Sequence, residues 1–204
     1  MTSSGVTPFD ASGLLEALVG LYEQQSHPAA QEVARQARRL LPLEAFPPRP
    51  AGVDGRQSLE SALESPNSLP QVALVPRDTA LLPWTEGPYE RPAFLVGKNM
   101  FARLIHRPED SPNEIVRMGL YYQCPGVDYP DHSHSAEEVY IPLSGTARWK
   151  KGGEDWVEHL PGTLIHHASF QPHATVTLDE PLLAVWAWIG EIDSSNFRFD
   201  HPTW

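Results

Sequence analysis

The sequence predicts an all-β fold, a barrel of jelly-roll type preceded by an N-terminal helical extension. Three observations predict it. Short apolar segments recur at close spacing from residue 71 onward, as they do in antiparallel barrels that close off their edges. The 21 prolines and 14 glycines supply the turns that many short strands require. Sustained helical periodicity, by contrast, is confined to the first 41 residues.

Taken in order, Ser12 is placed to cap a helix in which Leu14, Leu15, Leu18, Leu21 and Tyr22 recur at helical spacing. Pro28 suits the first position of a second helix, where its missing N–H costs nothing. Ala30, Val33, Ala34, Ala37, Leu40 and Leu41 form the apolar stripe of that helix, and Arg35, Arg38 and Arg39 fall on its solvated side. The two helices are expected to pack on the barrel or on a second subunit, the latter giving a homodimer. Residues 42–55, rich in proline, read as an extended connector, and 59–63 as one short helical turn. The expected division is 1–56 for the helical extension and connector, and 57–204 for the barrel. Strands are expected at 71–75, 93–97, 100–106, 114–123, 138–143, 146–150, 155–159, 164–167, 174–178 and 182–189, with a hairpin turn at Lys151-Gly152-Gly153. The aromatic C-terminal arm, 197–204, is expected to fold back on the barrel.

Charge and cysteine content narrow the function classes. A formal net charge of −11 opposes nucleic acid or an anionic membrane as partner, because both repel it at long range. The single cysteine, Cys124, has no intramolecular disulfide partner, which suits a reducing cytoplasm. No apolar run approaches the ~20 residues of a spanning helix. The opening Met-Thr-Ser-Ser-Gly-Val lacks the basic and apolar regions of a secretory signal. The expectation is a cytoplasmic protein.

The chemistry is concentrated in residues 126–145, which reduce to G-x5-H-x-H-x3-E-x6-G with His132, His134 and Glu138 as candidate ligands. Side chains two apart on a strand share a face, so both histidines point the same way. A turn through Ser135 and Ala136 then brings Glu138 and Tyr140 onto one face of the next strand. Two imidazoles and a carboxylate suit one divalent transition metal such as Zn, Fe or Mn. His173, delivered by Gln171-Pro172 after the Pro161-Gly162 turn, is the candidate fourth ligand. His159, His166 and His167 are expected to lie outside the ligand set.

This pair of motifs resembles the cupin superfamily, small double-stranded β-helix barrels that hold a metal with three His and one Glu. The second motif departs from the common pattern at Ala168, Phe170 and Thr177. H-x-H-x3-E-x-Y followed by Ser169-Phe-Gln-Pro-His-Ala174 is more narrowly similar to the cupin-type dimethylsulfoniopropionate (DMSP) lyases and their lyase-like relatives. That resemblance implies a small zwitterionic carboxylate as substrate, cleaved by β-elimination to dimethyl sulfide and acrylate. It points to Tyr140 as the base, with Tyr129 as rival or helper. Trp186 and Trp188 share one strand face, and with Tyr122 they offer aromatic surface to the sulfonium, Trp188 matching the family's pocket tryptophan. Two alternatives stay open at this point: a cupin oxygenase or isomerase acting on another small carboxylate, and a cupin that binds a ligand without turnover.

Overall fold

The computed structural model describes residues 8–41, 56–87, 91–105 and 116–199. The connector at 42–55 and the last residues of the C-terminal arm lie outside them. Three helices, α1 (Ser12–Glu23), α2 (Pro28–Arg38) and α3 (Arg56–Leu63), precede eleven strands among the described residues. The strands are β1 (Trp84–Thr85), β2 (Asn99–Ile105), β3 (Val116–Gln123), β4 (Asp128–Ser133), β5 (Glu137–Ser144) and β6 (Ala147–Lys151). They continue with β7 (Val157–His159), β8 (Ile165–His167), β9 (His173–Thr177), β10 (Leu182–Ile189) and β11 (Arg198–Phe199).

The strands form two antiparallel sheets, one ordered β1-β2-β3-β10-β5-β8 and the other β11-β4-β9-β6-β7. This is the expected double-sheet barrel of jelly-roll type with its N-terminal helices. The larger sheet is buried on both faces, and its two faces serve different layers. Val116, Met118, Leu120 and Tyr122 of β3, with Leu183, Val185, Ala187 and Ile189 of β10, pack against the helices. Tyr121 of β3, with Leu182, Ala184, Trp186 and Trp188 of β10, faces the second sheet. The strand period of two thus sorts each sequence into a helix-side and a barrel-side set.

The helices belong to that outer layer. Leu14, Leu15, Leu18, Val19 and Tyr22 of α1 and Ala30, Val33 and Ala37 of α2 are buried in the same core as the sheet. Removing one fully buried leucine such as Leu18 would cost about 2–5 kcal/mol. The Tyr22 hydroxyl donates to the carbonyl of Val139 at 3.0 Å, tying α1 to the strand that carries Glu138. Pro28 opens α2 as expected, with His27 Nδ1 accepting from the Ala29 amide at 3.2 Å. Arg38 pairs with Glu16 and Glu23 on the exposed side, where such pairs contribute little.

Two local expectations are corrected, the cap of the first helix and the form of two short stretches. The N-cap of α1 is Ala11 rather than Ser12, and Asp10 Oδ1 instead accepts from the Ser12 amide at 2.9 Å. The stretches at 71–75 and 93–97 are 3-10 turns, Pro70–Leu74 and Ala93–Leu95, not strands. Each follows a proline that fixes φ in the helical range, and a short apolar run has no period to distinguish the two forms. Cys124 is half-buried, its Sγ 3.8 Å from the Gly97 carbonyl oxygen.

Both motif glycines take left-handed backbone angles, Gly126 at φ 67° and Gly145 at φ 77°. At Gly145 a Cβ would also lie 1.9 Å from the Pro181 carbonyl oxygen, so the turn after β5 requires glycine twice over.

Candidate metal centre

β4 and β9 run antiparallel with His132 opposite His173, and the register is interrupted between Tyr129 and His132. His134 follows the end of β4, and the turn through Ser135 and Ala136 leads into β5 and Glu138. The turn is anchored: Ser135 Oγ donates to the Glu191 carbonyl at 2.9 Å, and Ser169 Oγ donates to the Ser135 carbonyl at 2.6 Å. The Phe170 amide donates to the His134 carbonyl at 2.8 Å, joining the two motifs. Phe170 holds φ 57° to do so, at the position where the common cupin pattern has glycine.

These elements bring His132, His134, Glu138 and His173 together, with one ligand atom from each lying within 4.8 Å of all the others. All four residues are buried. The imidazoles share one tautomer. His132 Nδ1 lies 2.8 Å from the Pro130 carbonyl, His134 Nδ1 3.0 Å from Ala136 and His173 Nδ1 2.8 Å from Gln171. A carbonyl only accepts, so each Nδ1 carries the proton and each Nε2 presents a lone pair.

Those lone pairs face a carboxylate. His173 Nε2 stands 2.9 Å and His134 Nε2 3.4 Å from Glu138 Oε2, and none of the three atoms has a hydrogen-bond partner. Acceptors gathered at that range repel unless a cation lies among them. The donor set therefore fits a divalent metal ion on its own chemistry. Burial, with the neighbouring His173 and His134, pushes the His132 imidazole well below its usual pKa, which keeps it a neutral ligand.

The surrounding aromatic residues divide into wall and support. Tyr140 is on the barrel-side face of β5, 5.6 Å from Tyr121 and 4.8 Å from Trp149 between ring centroids. The Tyr129 ring is 4.3 Å from His132. Trp186 donates Nε1 to the Leu120 carbonyl at 3.2 Å and stands edge-on to Trp188. The Trp188 indole N–H donates to Glu138 Oε1 at 2.6 Å. Its ring lies 4.4 Å from His134, and the Arg117 guanidinium lies over it at 5.6 Å.

The placement of Tyr122 corrects the sequence reading. It belongs to the helix-side core, on the far face of β3 from the metal group, and Tyr121 holds the barrel-side position. Sequence reasoning also missed Phe197 and Phe199. β11 pairs with β4, setting Phe199 opposite His132, and the Phe197 ring is 5.2 Å from His132. The described part of that arm, 197–199, does fold back, and it brings both rings against His132. His166 is outside the group, 2.6 Å from Glu137. His167 is also outside the four-residue ligand group, yet it pairs with Glu138 across β5 and β8, and its ring stacks on His173 at 4.0 Å.

The comparisons with known proteins agree with this geometry. A family model described as dimethylsulfoniopropionate lyase matches residues 81–184, half of the chain. The chain belongs to the dimethylsulfoniopropionate lyase family. Dimethylsulfoniopropionate lyase DddQ of Ruegeria pomeroyi is 38% identical over 76 residues, 37% of this chain and 38% of that protein. The match thus spans less than half the length of that curated relative. The crystal structure of DMSP lyase DddQ from Ruegeria pomeroyi superposes with a TM-score of 0.72 at 23% identity, covering 94% of this chain and 96% of that one. A chain from the crystal structures of the DMSP lyases RdDddP and RnDddQII gives 0.65 at 20% identity, covering 92% and 96%. These two likenesses establish that the family member has the family's fold. Among the described residues no helix is long and apolar enough to cross a membrane.

Proposed function

We propose that this protein is a metal-dependent carbon–sulfur lyase that cleaves dimethylsulfoniopropionate to dimethyl sulfide and acrylate. One observation carries the reading: in a chain of this family, a tautomer-locked His132–His134–Glu138–His173 group lies on the barrel interior with Tyr140 two residues from Glu138 on the same strand face. One divalent ion per chain is expected there, Zn, Fe or Mn. When bound, it supplies a Lewis acid that draws charge from a carboxylate.

The residues of the chain do the rest. Tyr140 takes the proton from the carbon next to the carboxylate. The electron pair left behind forms the carbon–carbon double bond as the bond to sulfur breaks, and the sulfur departs neutral with both electrons. A free phenol, with a pKa near 10, is a weak base at neutral pH, and a neighbouring divalent charge lowers that value. Tyr129, against His132, is the rival for the same role.

The sulfonium needs aromatic faces without a competing cation. Trp188 is a poor choice, because Arg117 already lies over its ring and its N–H is committed to Glu138. Trp186 forms wall beside it. Tyr129 and Phe197, flanking His132, are the better-placed surface for a cation. Headspace dimethyl sulfide from purified, metal-replete protein supplied with the substrate tests the proposal. Dimethyl sulfide with equimolar acrylate supports it, and no dimethyl sulfide at full metal occupancy overturns it.

A further inference from the structure

The reaction above uses the four ligands and a tyrosine, and leaves two buried polar side chains beside them without a task. His167 is 0% exposed, and neither of its ring nitrogens has a hydrogen-bond partner. Trp149, 2% exposed, has an indole N–H in the same condition. The two rings are neighbours, stacked at 6.1 Å with 28° between their planes. Tyr140 contacts Trp149 at 4.8 Å and His167 at 6.2 Å, and His167 stacks on the ligand His173 at 4.0 Å.

A buried polar group without a partner costs roughly 1–3 kcal/mol, and two such residues side by side at a reactive centre point to an occupant. The chemistry of the orphans says which kind. An indole N–H only donates, and an imidazole carries at least one N–H in every tautomer. The occupant must therefore accept hydrogen bonds. Cross-strand pairing of His167 with Glu138 sets it on the barrel-interior face that the metal group occupies. The geometry points to a receptor for a carboxylate oxygen, formed by His167 and Trp149 next to the metal group. Resting on the lyase reading, this assigns the substrate carboxylate a second hold besides the metal. His167 and Trp149 are then binding residues that fix which end of the substrate faces Tyr140.

Acrylate, a plain carboxylate, is the probe. Its affinity for metal-replete protein is measured by calorimetry in the parent, His167→Phe, Trp149→Phe and His167→Gln, with bound metal quantified in each. The receptor predicts parent-like metal content throughout, at least ~10-fold weaker acrylate binding in both Phe variants, and partial recovery in His167→Gln, which keeps a donor. Where dimethyl sulfide is formed, KM should rise more than kcat falls. Unchanged acrylate affinity in both Phe variants, no acrylate binding to the parent, or loss of metal together with acrylate overturns the receptor. Weaker acrylate binding in variants of a parent that forms no dimethyl sulfide retains the receptor and removes only the lyase reading.

Discussion

Trp188 donates its indole N–H to Glu138 Oε1 at 2.6 Å, while Glu138 Oε2 faces the Nε2 atoms of His134 and His173. One carboxylate oxygen is thus held by the wall of the barrel and the other is left for the metal. The two residues are cross-strand partners on β10 and β5, so the sheet itself sets the contact. Partners that orient a ligand in this way typically contribute 10–100-fold to metal affinity. Trp188→Phe keeps most of the ring but deletes the N–H. Competitive chelator titration should show metal affinity falling by about that factor, with the fold retained. Unchanged affinity would return Trp188 to a packing role.

Tyr140→Phe separates the base from the site around it. The ring, its packing on Trp149 and Tyr121 and all four ligands remain. Turnover should fall by the ~10²–10⁴-fold attached to a positioned general base, at parental metal content. If activity survives and Tyr129→Phe is inactive, the role belongs to Tyr129.

The stability of the metal-free protein should depend on pH in a definite direction. Burial, with His173 and His134 beside it, depresses the pKa of His132, and burial with His173 depresses that of His167. An unfolded imidazole protonates near pH 6.5, so below that point the unfolded chain binds more protons than the folded one. The contribution of these groups is present above about pH 6.5 and is lost as pH falls through their depressed folded values. Thermal melts of chelator-stripped protein at pH 7.5 and 5.5 check this. The lower pH should give the lower Tm, and equal values would contradict the assignment of buried neutral imidazoles.

Gly145→Ala tests the frame that holds β5 against β10. At φ 77°, with the Pro181 carbonyl 1.9 Å from where the Cβ would sit, the substitution should destabilise by at least ~2 kcal/mol. Urea unfolding measures it. Gly153→Ala, where a Cβ meets nothing within 4 Å, is the control and should be near neutral.

The candidate ligand group was legible because its logic is local. His132, His134 and Glu138 lie within seven residues, and strand alternation with one short turn aligns them. The helices were legible because α2 has one buried stripe and one charged side. What depends on pairing at a distance was not. β3 is buried on both faces, so hydrophobicity carried no signal to choose Tyr121 over Tyr122. His167 meets Glu138 only through the β5–β8 register, and Phe199 meets His132 only through β11 and β4. The sequence presents Trp188 as an open aromatic face, whereas its partners Arg117 and Glu138 come from strands on either side of β10.

In the proposed function the metal group and the lyase centre are one and the same. The direct measurement strips the purified protein with chelator, then adds divalent metal back in steps while bound metal and dimethyl sulfide production are followed together, with His134→Ala in parallel. Activity should be absent from the stripped protein, rise in proportion to bound metal and saturate at one ion per chain, with His134→Ala gaining little of either. Dimethyl sulfide from metal-free protein, or a fully loaded protein that forms none, would contradict it.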